Sequence, residues 1–261
     1  MASQALQRQT QYGAVEKLLG QHFRALESAL PRMGQASVEI HRGRAQRAAR
    51  VALQQMRTNP RLLDCDPSTL LGSVLQACSL GLELDGVLGQ AYLVPYKDQC
   101  QMQVGYRGYQ ALALRSGLVV SMTAAVIYDQ DEFEFSLGTD PFCRHHYDVG
   151  ALDRGPEVCA WAAAQLSNGT YQFQIADARR IATAEKASKS GGMSPWRTYR
   201  EAMVRKTAIR ELAKYLPQSP DLIRAAVHDE YVETGHAPPH PTPEDFTDAI
   251  DVPSEEVADA S

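Results

Sequence analysis

The sequence of 261 residues lacks several features that would point to particular classes of protein. It has no run of about 18 apolar residues, so we expect no membrane-spanning helix. Its polar N-terminus lacks the apolar segment of a secretory signal peptide. Its five cysteines form no Cys-x-x-Cys pair, and their odd number argues against a disulfide framework. The interior of the cell is therefore the expected compartment.

The sequence also lacks a nucleotide-binding loop. Such a loop ends in Gly-Lys-Ser or Gly-Lys-Thr, whereas Lys189 follows Ser188 and Lys206 follows Arg205. This absence excludes an ATP-driven recombinase. The motif Gly-x-x-Gly at residues 105–108 resembles the loop of an RNA-binding KH module, but that loop should join two helices. Here it follows a predicted strand, and the fit is poor.

Evidence for a metal-dependent enzyme is weak. The acidic segment 129–134 could hold Mg²⁺, which leaves a metal-dependent DNA nuclease as the alternative function. However, none of the six lysines follows an acidic residue by two positions, as a Glu-x-Lys nuclease unit requires. The simpler interpretation is a strand with acids facing solvent and with Phe133 and Phe135 facing a core. Cys143, His145 and His146 lie in a segment predicted to be irregular, and no second ligand pair stands at zinc-site spacing. We therefore predict no catalytic and no metal-binding residue.

Charge is distributed unevenly along the chain, although the net value is only −5. Residues 236–261 contain seven Asp and Glu and no Lys or Arg, together with several prolines. By contrast, residues 179–214 contain ten Lys and Arg against three Glu. This pattern predicts a disordered acidic tail over residues 231–261, preceded by a basic segment.

The order of predicted elements indicates an α+β fold. Apolar spacing predicts helices over 12–30, 37–56 and 67–80, then a β-hairpin over 91–96 and 100–104. A helix to residue 116 follows, and strands are predicted over 119–128, 132–137, 158–166 and 170–175. Further helices are predicted from residue 176 and over 195–216. We predict a mainly antiparallel sheet with a β-hairpin, packed by helices before and after it. The predicted divisions are an N-terminal helical extension (1–31), a core domain (32–230) and the tail (231–261).

The segment 105–117 carries the clearest functional signal. Two tyrosines and an arginine, Tyr106, Arg107 and Tyr109, lie between glycines where a predicted strand meets a predicted helix. Glycine allows a close approach of backbone to a ligand. Tyrosine rings can stack on bases, and arginine can grip phosphate. The segment predicts contact with nucleic acid.

The predicted helix 195–216 gives a second signal. At 100° per residue, Lys206, Arg210 and Lys214 share a face with Trp196 and Tyr199. This face is either a nucleic-acid surface or a set of cations that extend past the edge of an apolar stripe. Arg205 falls within the apolar stripe, where a cation requires a carboxylate or a groove open to phosphate.

Several ordered blocks resemble the RecT family of phage and bacterial single-strand annealing proteins. The similarity covers most of residues 31–230, and the blocks that carry it are residues 59–65, 76–84, 88–95, 105–117, 131–135, 195–196, 203–210 and 214–217. Several long blocks in one order are far more specific than a single short motif. The first 30 residues and the acidic tail match little.

The resemblance implies ATP-independent annealing of complementary single strands in recombination and repair, by homo-oligomers that form rings or filaments. It implies binding of single-stranded and annealed DNA, an exonuclease partner, the host single-strand-binding protein as a further partner, and no required cofactor, with Mg²⁺ left open. It places the protein in the bacterial cytoplasm, as a phage or host product. By position, it predicts a DNA groove lined by Tyr106, Arg107, Tyr109, Arg205, Lys206, Arg210 and Lys214, with Trp196 and Tyr199 beside it. Lys97 and Lys189 are added on charge alone.

Overall fold

The computed structural model describes residues 2–31, 38–187, 195–217, 220–234 and 240–247. Its first part is a layer of helices: α1 (Ala2–Gln21), α2 (Phe23–Ala29), α3 (Val38–Thr58), a 3-10 turn (Pro60–Asp64) and α4 (Pro67–Leu80). The single helix predicted over 12–30 is thus two helices, separated at His22. Helix α4 lies at the centre of the layer and contacts α1, α2 and α3.

The ends of α4 follow from its sequence. The Asp66 carboxylate accepts a hydrogen bond of 2.8 Å from the Ser68 N–H, and Pro67 occupies the first turn. At the other end, Gly81 adopts a left-handed conformation with φ of 61°, which glycine tolerates without a steric penalty. From Leu70 to Leu80 every residue except Gln76 and Ser79 is buried, so α4 forms the core of the helical layer.

A β-hairpin packs on α4. Strands β1 (Ala91–Tyr96) and β2 (Gln99–Val104) are antiparallel, and Lys97 lies at the tip. Two side chains of α4 satisfy backbone groups of β2: the Thr69 hydroxyl accepts from Cys100 N–H, and the Ser73 hydroxyl donates to Cys100 C=O. The hairpin leads directly into α5 (Tyr106–Arg115).

The second part is a sheet covered by a helix. Strands β3 (Val119–Tyr128), β6 (Glu157–Leu166) and β7 (Tyr171–Ala176) are antiparallel, in the order β3–β6–β7. Small side chains face inward along β6 at Ala160, Ala162 and Ala164, so a helix can lie close to the sheet. That helix is α8 (Arg200–Ala213), which contacts all three strands as well as α5.

A separate two-stranded ribbon, β4 (Glu132–Ser136) and β5 (Phe142–His146), extends from the sheet. Strand β5 corrects the prediction that residues 142–146 are irregular. Phe133 is half-buried, but Phe135 on the same ribbon is exposed, so the predicted core face is only partly realised.

The remaining helices are α6 (Ala178–Ala187), α7 (Pro195–Thr198), α9 (Pro220–Thr234) and α10 (Glu244–Thr247). Helix α9, which the sequence analysis did not predict, packs on α5 and β2 and extends past the predicted core boundary at residue 230. Residues 240–247 return to the helical layer. Helix α10 contacts α2, and a β-carbon at Gly72 would lie 2.7 Å from the His240 β-carbon. The rest of the predicted tail, 235–239 and 248–261, lies outside the described residues.

The structure confirms the predicted α+β class, with antiparallel strands, a hairpin and flanking helices. One hydrophobic cluster runs through both parts, from Val15 in α1 to Ala225 in α9. All five cysteines are free, and burial raises the pKa of Cys78 and Cys100 to about 12. Among the described helices, none has the length and apolar character needed to cross a bilayer.

Candidate nucleic-acid interface

The turn between β2 and α5 depends on two glycines. A β-carbon at Gly105 would lie 2.2 Å from the Gly89 carbonyl oxygen, and one at Gly108 would lie 2.2 Å from the Gln90 carbonyl oxygen. Gly105 N–H also donates to Gln90 C=O at 2.8 Å. The turn is therefore pressed directly against the loop 85–90, which no larger residue at either position would allow.

Arg107 projects from this turn into solvent. Its Nε donates to the Tyr106 hydroxyl at 3.1 Å, and its guanidinium lies 5.7 Å from the centre of the Tyr106 ring. Its Nη1 reaches the Val87 carbonyl at 3.5 Å. Within the part of the chain that the structure describes, Arg107 contacts no carboxylate. An exposed guanidinium held by neutral groups keeps its charge available for an anion.

Two further tyrosines lie close to Arg107. A β-carbon at Gly89 would lie 2.9 Å from the Tyr92 hydroxyl and 3.5 Å from Arg107 Cδ, so both side chains lie over this glycine. Burial raises the pKa of Tyr92, Arg107 lowers it, and Tyr106, Tyr199 and Asp85 raise it. Tyr92 and Tyr199 are 42% and 67% exposed, which leaves ring surface open for stacking. We name this set, Tyr92, Tyr106, Arg107 and Tyr199, the Arg107 surface. It combines a phosphate-binding fork with rings that can stack on bases.

Tyr92 was not among the residues predicted from the sequence, although a signal for it was available. Along β1, Ala91 and Leu93 are buried while Tyr92 faces outward, which is the alternation expected of a half-buried strand. Strand periodicity therefore could have placed this ring on the outer face. Its proximity to Arg107 depends on the way loop 85–90 meets the turn, which periodicity does not give.

Two residues predicted for the groove, Tyr109 and Lys206, are inside the protein, and their predicted surface position is wrong. Tyr109 is fully buried and Lys206 is 7% exposed. Lys206 Nζ lies 2.8 Å from Asp229 Oδ2, and the Tyr109 hydroxyl donates to the same oxygen at 2.9 Å. Both side chains are directed to a carboxylate of α9, because a buried cation requires a charge partner and a buried hydroxyl requires a hydrogen-bond partner.

The predicted continuous helix 195–216 is also wrong. Helix α7 ends at Thr198, and Tyr199 has φ of −132° and ψ of 47° before α8 begins. The helical projection used for Trp196 and Tyr199 therefore does not hold across the break. Trp196 is 3% exposed, whereas Tyr199 faces solvent. The break removes Trp196 from the surface and brings Tyr199 to the Arg107 surface.

Sequence comparison identifies relatives of this chain. The sequence model of the RecT family matches residues 46–243, which include the hairpin, the turn, the sheet, α8 and α9. Protein RecT of Escherichia coli (strain K12) is 38% identical over 194 residues, which cover 71% of each chain. The chain belongs to the RecT family. A second relative, the uncharacterized protein YqaK of Bacillus subtilis (strain 168), is 28% identical over 168 residues, 63% of this chain and 57% of YqaK.

Several cations predicted for the groove of this RecT-family chain are engaged by acids. Arg205 is half-buried and pairs with Glu201 one turn earlier, which supplies the carboxylate that its position requires. Glu211 bridges Lys214 at 3.0 Å and Arg180 at 2.9 Å.

The other predicted positions are more varied. Arg210 is half-buried, and Lys97 lies at the hairpin tip, 5.9 Å from the centre of the Tyr96 ring. Lys189 lies outside the described residues. The DNA-binding roles of the exposed residues in this set stay predictions.

In the acidic segment considered for metal binding, Asp131 forms hydrogen bonds within the protein. The Asp131 side chain is 1% exposed and accepts from Arg154 Nε at 2.7 Å, from His145 Nε2 at 2.9 Å and from Tyr128 N–H at 2.8 Å. Burial alone would raise the pKa of Asp131, but these hydrogen bonds lower it well below its usual range. His145 Nδ1 in turn accepts from Trp161 Nε1 at 3.0 Å. Both ring nitrogens of His145 and the Asp131 carboxylate are thus occupied by protein groups, which weakens the zinc and magnesium interpretations.

Proposed function

We propose that this chain binds single-stranded DNA and anneals complementary strands without ATP, as a homo-oligomeric ring or filament in recombination. RecT-family membership supports DNA binding and strand annealing in recombination. The observation that carries the proposal is the Arg107 surface, where an exposed guanidinium without a carboxylate partner among the described residues stands among tyrosine rings.

The proposed mechanism assigns separate tasks to the charge and the rings. Arg107 contacts a phosphate, and Tyr92 and Tyr199 stack on bases whose pairing edges stay free. Annealing requires this division, since reduced phosphate repulsion lets a second strand approach while free base edges test its sequence. One protomer binds weakly in this scheme. An oligomer then multiplies weak contacts along the strand through effective concentration.

Three parts of the proposal concern the surroundings of the protein. An exonuclease supplies the single strands, and the host single-strand-binding protein hands them over, both in the bacterial cytoplasm. Neither a nucleotide nor a bound cofactor is needed. The annealing reaction is therefore expected to proceed with ATP omitted, and measurements with Mg²⁺ and with EDTA determine whether Mg²⁺ is required.

The test compares Arg107→Ala with Arg144→Ala. Arg144 is a matched control because it is exposed and its guanidinium lies 5.2 Å from the centre of the Phe142 ring on β5. Fluorescence anisotropy with an unstructured oligonucleotide gives Kd at several salt concentrations. We expect Arg107→Ala to weaken binding about tenfold and to make the log–log salt slope less negative by about 0.7, since one phosphate contact is lost.

The outcome that overturns the proposed site is an Arg107→Ala protein with the affinity and salt slope of the Arg144→Ala control. A fluorescence-quenching assay with two complementary oligonucleotides then measures annealing directly. Annealing that requires ATP would contradict the proposed mechanism. Degradation of labelled DNA in proportion to protein, on addition of Mg²⁺, would favour the nuclease alternative.

A further inference from the structure

A buried polar cluster centred on Asp229 lies next to the turn that carries Arg107. Asp229 of α9 is 2% exposed, and its carboxylate has three partners from three other elements. Oδ1 accepts from Val104 N–H at 3.2 Å. Oδ2 accepts from the Tyr109 hydroxyl at 2.9 Å and lies 2.8 Å from Lys206 Nζ. Asp229 thus connects α9 with β2, α5 and α8.

Two of these partners bracket the DNA-binding turn. Val104 is the last residue of β2 and immediately precedes Gly105, while Tyr109 immediately follows Gly108. Asp229 therefore holds the residue before and the residue after the segment that carries Tyr106 and Arg107. The Tyr109 hydroxyl also lies 3.3 Å from the Ala225 carbonyl, one turn earlier in α9. Both ends of the turn are tied to a single helix.

The energetics of such a cluster favour a geometric role. A buried ion pair loses the hydration of two charges, and apolar residues of similar volume are often equally or more stabilising. Stability alone therefore gives little reason for an Asp–Lys pair at this position. What an apolar pair lacks is directed hydrogen bonding to Val104 N–H and to the Tyr109 hydroxyl.

We propose that Asp229 is a positioning residue for Arg107: it fixes the turn that presents the guanidinium to DNA, and Lys206 neutralises its buried charge without contacting DNA. This inference rests on the proposed function of the Arg107 surface. In this proposal α9 contributes to DNA binding indirectly, because Asp229 positions Arg107 and does not contact DNA itself.

Two double variants test the inference: Lys206→Met with Asp229→Asn, and Lys206→Met with Asp229→Leu. Both lack the buried cation and the buried anion, so neither leaves a charge unpaired in the core. The two variants differ only at position 229, where asparagine and leucine have side chains of similar size. The asparagine keeps an oxygen that accepts from Val104 N–H and has an amide N–H that can donate to the Tyr109 hydroxyl, whereas the leucine has neither. Thermal unfolding establishes that each protein is folded, and the salt series described above gives Kd and slope.

We expect the leucine variant to bind single-stranded DNA about tenfold more weakly than the asparagine variant, because two hydrogen bonds that fix the turn are lost. The salt slopes of both variants should equal that of the wild-type protein, because no phosphate contact is removed. This separates positioning from contact, since Arg107→Ala changes the slope. Tyr109→Phe is a second variant that preserves the shape of the core. It should weaken binding about threefold with an unchanged slope.

Equal affinities of the leucine and asparagine variants for single-stranded DNA would overturn the inference. If the leucine variant does not fold, an affinity of Tyr109→Phe equal to that of the wild-type protein would overturn it. In that case an effect of Arg107→Ala would still support the proposed function. A slope less negative by about 0.7 in the asparagine variant would show that Lys206 contacts a phosphate, which also overturns the inference. Failure of Arg107→Ala to weaken binding would instead remove the proposed site on which the inference rests.

Discussion

Arg107 and Arg154 both lie beside tyrosine rings, but only Arg154 also has a carboxylate partner among the described residues. Each guanidinium lies near tyrosine rings: Arg107 is 5.7 Å from the centre of Tyr106, and Arg154 is 4.6 Å and 3.9 Å from the centres of Tyr128 and Tyr147. Arg154 also pairs with the buried carboxylate of Asp131. Arg107 pairs with no carboxylate among the described residues.

This difference separates a structural arginine from one that can bind a ligand. At Arg154, an internal anion occupies the guanidinium and joins the β4–β5 ribbon to the sheet through Asp131, His145 and Trp161. At Arg107, neutral acceptors hold the side chain in place and leave its charge for an external anion. Arginine beside tyrosine is therefore not informative by itself. The presence or absence of an acidic neighbour decides the role.

The largest expected effect is a loss of stability when the carboxylate partner of Arg154 is removed. Asp131→Ala leaves Arg154 and His145 without their shared acceptor, so we expect the free energy of unfolding to fall by about 2–3 kcal/mol. Urea denaturation followed by the fluorescence of the two tryptophans, Trp161 and Trp196, measures this loss. Asp140→Ala is the matched control, because Asp140 is exposed. A loss no larger than that of the control would show that the buried carboxylate does not hold the ribbon.

A smaller effect is expected on the binding of single-stranded DNA at the Arg107 surface. If Tyr92 and Tyr199 stack on bases, each Tyr→Ala change should cost about 1–3 kcal/mol of binding to single-stranded DNA with little change in the salt slope. Tyr171→Ala provides the control, because Tyr171 is 65% exposed on β7. Anisotropy titrations of the three variants measure the affinities. Equal affinities for all three would mean that the rings beside Arg107 do not stack.

The smallest expected effect comes from removing the acidic partner of two surface cations, which makes their charge available to DNA. Glu211 neutralises Lys214 and Arg180 at the surface. Glu211→Gln should tighten binding at low salt by at most about fivefold, since exposed ion pairs are worth about 0.2–1 kcal/mol. The gain should disappear at high salt. Glu185→Gln is the comparison variant, since Glu185 pairs with Arg200, which is not among the predicted DNA-binding residues. Equal gains in both variants would indicate only a change in net charge.

Local patterns in the sequence predicted most of the fold. The Asp-Pro start and the glycine end of α4 and the alternation in the strands are short-range signals, and α4 and the predicted strands lie within a few residues of their predicted positions. The exceptions are α9, β5, the break at Tyr199 and the first helix, which begins at Ala2 and is separated from α2 at His22. Their formation depends on packing partners distant in sequence, such as the contacts of α9 with α5 and β2.

The candidate site was predicted less completely, and Lys206 shows why. Its helical position placed it beside Arg210 on a basic face, which is correct as local geometry. Its partner, Asp229, comes from another helix, and the helical projection contains no information about that contact. Arg107 was easier to identify, because glycines on both sides mark a tight turn regardless of what packs beneath it.

The bond between Val104 N–H and Asp229 has a consequence for biosynthesis, because it joins residues 125 positions apart. During translation the turn leaves the ribosome long before α9 exists. At about 5–20 residues per second, this separation of 125 residues corresponds to a delay of about 6–25 s. In that interval the nascent chain carries Arg107 on a turn without its tether. The Arg107 surface therefore acquires its bonds to Asp229 only after α9 has been synthesised.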